Sequence, residues 1–218
     1  MKHQFDLQQM FSFFIQQQIA LSDSQKEKMT EYLVLLKYWS GKQNLVSKSD
    51  IDHIVERHFL PSLFLYFSLP QNVAGAIIDI GSGGGFPGVL IKIMCPEQPL
   101  TLLDASRKKV LFLEEVCDQL DLDCKVVCKR CEDYNHKARE EYHIAVARAV
   151  AALDVLWYWT EPLLDDKGAL YALKGGDCDR EMAVIKQKKI SIDVKRPEKS
   201  WQLQSTYMQQ KCIVVLEK

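Results

Sequence analysis

Between Ile77 and Gly88 the chain reads Ile77-Ile78-Asp79-Ile80-Gly81-Ser82-Gly83-Gly84-Gly85-Phe86-Pro87-Gly88, an apolar run followed by five glycines in eight residues. A buried strand that empties into such a loop and then into a helix is how open α/β sheets hold ligands at their carboxyl ends. Lacking a Cβ, glycine accepts left-handed backbone and lets the main chain come close to a bound molecule. A merely flexible turn seldom needs so many glycines directly after a buried strand.

The rest of the chain supplies the sheet that this loop requires. Short apolar runs at Ala76 to Ile80, Leu100 to Leu103, Cys124 to Val127, Ile144 to Ala147 and Ala169 to Leu173 alternate with helical patterns near Val89 to Met94, Arg107 to Leu120 and Leu153 to Leu163. Such βαβα alternation predicts a mostly parallel sheet covered on both faces. Ile190 to Val194 and Cys212 to Leu216, separated only by a polar stretch, read as an antiparallel pair at the sheet edge. Ahead of the first strand, residues 1–72 are helical in pattern. Leu7, Met10, Phe11, Phe14, Ile15 and Ile19 keep helical spacing, Ser24 with Glu27 suggests a capping box, Gly41 a stop, and a short helix carries Ile51, Ile54, Val55 and His58 up to Pro61. The expected organisation is a helical cap over residues 1–72 and an α/β domain over 73–218.

Two cofactor chemistries fit the loop. Gly83-x-Gly85-x-x-Gly88 matches a dinucleotide fingerprint, and Asp104, at the end of the next strand, could take both hydroxyls of an adenosine ribose in either chemistry. Asp79 separates the two. A buried carboxylate two residues before the first glycine repels a pyrophosphate and attracts the ammonium and sulfonium of S-adenosylmethionine. Asp79-x-Gly81-x-Gly83-x-Gly85 is therefore read as the first motif of an S-adenosylmethionine-dependent methyltransferase. The competing role for Asp104 is to cap the helix that starts near Arg107.

The residues just beyond the strands narrow the acceptor. The Asn/Asp-Pro-Pro-aromatic loop of amino-methylating enzymes is absent, and no Pro-Cys pair offers the nucleophile of pyrimidine-C5 methylation. Ala147-Arg148-Ala149-Val150-Ala151 supplies a fixed cation after the fourth strand and no general base, since guanidinium does not deprotonate. An acceptor that already carries a lone pair, such as guanine N7, needs positioning and desolvation only. The sequence permits that acceptor.

These residues together resemble the bacterial small-subunit ribosomal RNA (guanine-N7) methyltransferases of the glucose-inhibited division protein B type. The similarity is carried by Trp39-x-x-Lys42-x-Asn44-Leu45, Arg57-His58-x-Leu60, the Asp79 to Gly88 loop with its Phe-Pro-Gly, Leu103-Asp104-Ala105-x-Arg107-Lys108-Lys109, Ala147-Arg148-Ala149 and Tyr171-Ala172-Leu173-Lys174-Gly175. It implies a doubly wound, seven-stranded Rossmann-like sheet with an N-terminal helical cap. S-adenosylmethionine would be the donor and a guanine of the decoding-region hairpin of 16S rRNA the acceptor, met as free RNA or in the 30S subunit. By motif position, Gly81 and Phe86 would line the cofactor, Cys131 and Glu132 would lie beside its adenine, and Arg148 would contact it. Asp79, Gly83, Gly85 and Asp104 complete the expected donor site, and Arg148 with Lys174, both at strand ends, would orient an RNA phosphate or the guanine O6. The chain departs from the family pattern at Val46, usually Thr, and at Pro61, usually Asp.

Other features are set aside or left open. Cys124-x-x-x-Cys128-x-x-Cys131 has iron-sulfur spacing, but a strand would put Cys124 and Cys128 on one face and Cys131 beyond its end, so buried or incidental thiols are the simpler reading. No metal is expected. Seven cysteines, Cys178 among them, and an amino-terminal segment without an apolar core point to reduced thiols in a cytoplasmic protein. The chain is expected to be a monomer with no membrane partner. With 28 Lys and Arg against 29 Asp and Glu, RNA binding would need a local patch. The candidates are Arg107-Lys108-Lys109, Lys42 with Lys48 and Arg57, and the stretch holding Lys186, Lys188, Lys189, Lys195, Arg196 and Lys199. Trp157, Tyr158 and Trp159 read mainly as packing. Methylation of another base or of a small molecule, and a non-catalytic nucleotide-binding module, are the alternatives.

Overall fold

A computed structural model describes residues 5–134, 141–176, 179–186 and 190–218, the side chain of residue 179 excepted. Seven strands form one sheet in the order β3-β2-β1-β4-β5-β7-β6. They are β1 (Ala76–Ile80), β2 (Leu100–Asp104), β3 (Lys125–Cys128), β4 (Tyr142–Arg148), β5 (Leu164–Gly175), β6 (Ser191–Lys195) and β7 (Lys211–Glu217). The first five are parallel, and β7 runs antiparallel to both β5 and β6. Because β2 and β4 flank β1 on opposite sides, the chain winds outward from β1 both ways, and the crevice at the carboxyl ends opens there.

Helices α1 (Leu7–Gln16), α2 (Asp23–Ser40), α3 (Leu60–Ser68), α4 (Gly88–Met94) and α5 (Arg107–Gln119) share one core with one sheet face, where Ile77, Leu102, Val146 and Leu173 point. Ile78, Ile80, Leu103, Ala145, Ala147 and Ala172 point to the other face, under α6 (Cys131–Tyr134), α7 (Leu153–Thr160) and α8 (Asp179–Lys186). The period of two along each strand makes this division. Two short helices, α9 (Lys199–Gln202) and α10 (Thr206–Gln209), lead into β7.

The helices before β1 are part of the first core. Phe14, Tyr32, Leu36, Phe59, Leu60, Leu63 and Leu65 are all fully buried there. At about 1.5–3 kcal/mol for each such side chain, detaching these helices would cost as much as a whole domain's net stability of about 5–15 kcal/mol.

Three local expectations are corrected. The capping box of α2 is Ser22 with Gln25: the Gln25 amide donates to Ser22 Oγ (3.1 Å) and the Ser22 amide to Gln25 Oε1 (2.9 Å). Ser24 and Glu27 lie inside the helix instead. Pro61 stops nothing, because it sits in the first turn of α3, where its missing N–H is not needed. Ile15 keeps helical spacing yet is exposed. Among the described residues, no helix is long and apolar enough to cross a membrane, and no group of three His, Cys, Asp or Glu side chains could hold a metal. Cys178, Lys188 and Lys189 lie outside the described residues.

Candidate active site

The glycine loop is held from below by Asp79. Its side chain leaves β1 on the α4 side, fully buried, and Oδ2 accepts from the Gly88 amide at 2.9 Å. Ser82 Oγ donates to the Asp79 carbonyl, and Ser82 O accepts the amides of Gly85 and Phe86, closing a tight turn. Asp79 Oδ1 is buried with no partner. Burial pushes this carboxyl up to about 7, against the hydrogen bond from the Gly88 amide that favours its anion. Asp79 is thus a half-satisfied acid under the loop.

Two glycines of the loop combine a left-handed backbone with a blocked Cβ position. Gly81 has φ +67°, and a Cβ there would stand 2.8 Å from Val150 Cγ2. Gly85 has φ +90°, and its Cβ would meet the Tyr32 hydroxyl at 2.6 Å. That hydroxyl, from α2, donates to the Gly84 carbonyl, so the cap clamps the loop directly. Phe86 is buried, its ring centroid 5.0 Å from that of His58 and 5.7 Å from that of Tyr32.

Beside the loop lies a cavity of about 160 Å³ at the ends of β1, β2 and β3. Gly81, Asp104, Cys131 and Glu132 line it, with Val150, Arg130 and Trp159. Asp104 is fixed by two main-chain donors: Oδ2 accepts from the Gly83 amide (2.8 Å) and Oδ1 from the Ser106 amide (2.8 Å). A carboxylate offers about four lone-pair sites, so acceptor capacity remains on a side chain whose position is already set. Ser106, not Asp104, is the N-cap residue of α5. Cys131 Sγ points to the Trp159 carbonyl (3.8 Å), and burial pushes its thiol up to about 12, so at neutral pH it is no nucleophile. A carboxylate pair-acceptor, a Cβ-free wall and an apolar floor fit an adenosine.

On the other side of β1 the two expected cations part company. Arg148 leaves β4 on the cap side. Its Nη2 donates to Arg57 O (3.1 Å) and His58 Nδ1 (2.9 Å), and Cζ lies 5.3 Å from the centre of the Phe86 ring. Arginine cannot accept, so His58 Nδ1 does; the ring proton sits on Nε2, which faces Asp50 Oδ2 at 3.4 Å. Asp50 Oδ1 in turn binds Arg57 Nη1 at 2.5 Å. Burial and the Arg148 charge push His58 down to about 3, which keeps it a neutral acceptor. Arg148 Nη1 is buried without a hydrogen-bond partner. Lys174 lies in β5 just past Leu173, the register partner of Arg148, and therefore leaves the opposite face. It donates to the Ala151 carbonyl (2.7 Å) and to Glu181 Oε2 (2.8 Å) on α8.

The structure therefore brings Gly81, Asp104, Cys131 and Glu132 together, sets Asp79, Gly83, Gly85 and Phe86 under or behind the loop, and separates Arg148 from Lys174. Sequence reasoning missed Asp50, His58 and Tyr32, which act across the cap, and Val150 and Trp159, which wall the cavity. The Arg57-His58 pair was visible as a motif without a role. Trp157 is core and Tyr158 exposed.

Comparison with known proteins leads to the same place. A family model described as rRNA small subunit methyltransferase G (GidB) matches residues 25–210. The Ribosomal RNA small subunit methyltransferase G of Clostridium novyi (strain NT) is 35% identical over 177 residues, 80% of this chain and 72% of that protein. The protein of the same name from Staphylococcus carnosus (strain TM300) is 36% identical over 168 residues, 75% and 70% of the two chains. Among solved structures, the plantazolicin methyltransferase BpumL in complex with SAH superposes with a TM-score of 0.58 at 15% identity, covering 89% of this chain and 98% of its own, a likeness of fold. The chain belongs to the GidB family, that of the rRNA small subunit methyltransferase G, and is an S-adenosylmethionine-dependent methyltransferase.

Proposed function

We propose that this protein transfers the methyl group of S-adenosylmethionine to N7 of a guanine in the decoding-region hairpin of 16S ribosomal RNA. The observation that carries the reading is Asp104, held by the Gly83 and Ser106 amides at the rim of a cavity that Gly81, Cys131 and Glu132 complete. Asp104 takes the ribose hydroxyls, the Gly81 main chain lies against the cofactor, and Cys131 with Glu132 borders the adenine. Asp79, an acid without a full set of donors beneath the loop, favours a cation above it. The cofactor, when bound, supplies a methyl group on a sulfonium.

Guanine N7 carries a lone pair and no proton, so the chain needs no base, which agrees with a β4 end that offers none. Arg148 orients the acceptor from the cap side, to which its Nη2 is committed, and its buried Nη1 has to be uncovered as the acceptor enters. Lys174 has one N–H beyond those given to Ala151 and Glu181 and serves from the opposite face.

The test is transfer of a labelled methyl group to 16S rRNA and to 30S subunits from a strain lacking the activity, followed by nuclease digestion. The expected product is 7-methylguanosine. A different methylated nucleoside, turnover on free nucleosides instead of RNA, or no incorporation by protein that binds S-adenosylmethionine would each overturn the acceptor.

A further inference from the structure

Several of the described basic side chains are committed within the chain. Arg57 pairs with Asp50, Arg107 with Glu114 and Lys174 with Glu181. Lys195 Nζ donates to the Ser68 carbonyl, and Lys92 Nζ, buried, to that of Gln98. Four lysines are gathered in one place instead, and the hydrogen bond from Lys42 Nζ to the Tyr38 hydroxyl leaves that charge unpaired. Lys42, Lys48, Lys108 and Lys109 line one cleft of about 480 Å³, and no carboxylate lines it with them. None of the four forms an ion pair with another described residue.

One wall is the turn after α2, where Lys42 stands 3.9 Å over the exposed Tyr38 ring. The other is the first turn of α5, and Gln43 Nε2 donates to the Lys108 carbonyl (3.1 Å), fastening the walls together. The cleft adjoins the cofactor cavity. Ser106 lines the cleft and Asp104 the cavity, joined by the Asp104 Oδ1 bond to the Ser106 amide, while Lys109 Nζ lies 3.9 Å from where a Cβ on Gly83 would be.

We propose that this cleft is a phosphodiester seat, in which the four ammonium groups hold the RNA backbone flanking the target guanine. Four like charges sharing a cleft without a counter-ion repel one another until an anion enters, and ammonium groups act as point charges that position a backbone without reading bases. A chain of net charge −1 has no general attraction for RNA, so affinity has to come from such a patch. The seat rests on the proposed RNA acceptor and says where that RNA lies.

The experiment measures binding of a 16S-derived hairpin and methyl transfer to it, across salt concentrations, for wild type and Lys42→Gln/Lys48→Gln. Losing two phosphate contacts makes the slope of log affinity against log salt shallower by about 1.4–1.8. The expected KM for RNA rises about tenfold, kcat is kept, S-adenosylhomocysteine affinity is unchanged, and Lys42→Arg/Lys48→Arg restores the wild-type slope. Lys26→Gln/Lys167→Gln, removing charge elsewhere, leaves the slope as it was. An unchanged slope in the first pair, or a loss in kcat or S-adenosylhomocysteine affinity with KM preserved, overturns the seat. Wild-type protein that binds RNA through the cleft but leaves no methyl overturns the acceptor and spares the seat.

Discussion

The two flanks of β1 are built to different plans. On the β2 flank, Asp104 is held by backbone amides and faces a cavity, so the proposed donor side is set before anything binds. On the β4 flank, Arg148 and Lys174 are bound to other parts of the chain, the one to the cap and the other to α8, on opposite faces of the sheet. A position defined by main chain survives a change of neighbouring side chains; a position defined by side chains depends on each of them. The β2 flank is held locally, and the β4 flank is where distant parts of the fold meet.

That contrast is broken most directly at Asp104. Asp104→Ala removes the proposed ribose acceptor and strands two amides, each charge-assisted bond being worth about 1.5–3 kcal/mol. Calorimetric titration with S-adenosylhomocysteine should show affinity lower by at least ~100-fold, and near-wild-type affinity would remove Asp104 from the donor site. Arg148→Ala should do the reverse: methyl transfer down about 100-fold, S-adenosylhomocysteine affinity within about threefold, and a lower Tm as His58 Nδ1 and Arg57 O lose their donor. Transfer at the wild-type rate would detach Arg148 from the reaction.

Asp79 sharpens the comparison through pH. With its folded pKa raised from 3.8 to about 7, it keeps a proton that the unfolded chain has already released. Its contribution to stability is full below about pH 4 and is lost as pH rises through about 7. Cation binding needs the anion, so S-adenosylmethionine affinity should climb over the same range. Asp79→Asn should flatten both profiles and weaken S-adenosylmethionine about tenfold above pH 7; an unaltered affinity profile would assign the pH effect elsewhere. The smallest effect is expected at Glu181→Gln. It weakens a part-exposed ion pair, with a change in transfer of less than about threefold and a Tm lower by a few degrees.

Legibility in the sequence divides the same way. The strands, the loop and Asp104 were legible because each is a local pattern: a period of two, glycines after a strand, an acid at a strand end. The capping box was misplaced by two residues because Ser22 and Gln25 offer the same chemistry as Ser24 and Glu27, and packing chooses between them. The roles of Tyr32 and His58 were not legible, since each meets a residue far along the chain, and Asp50, a near neighbour of Arg57 and His58, reaches Arg148 only through that histidine. The separation of Arg148 from Lys174 could have been foreseen only with the β4–β5 register in hand, because a shift of one residue turns a side chain to the other face.

The placement of β7 carries a consequence for the order of events during synthesis. β5 pairs with β4 on one side and β7 on the other, and β6 pairs with β7 alone. While the ribosome is still making residues before Lys211, β5 therefore presents a bare edge and β6 has no neighbour to join. Seven residues at the far end of the chain complete the sheet, and a nascent chain waiting for them is open to pairing with another of its kind.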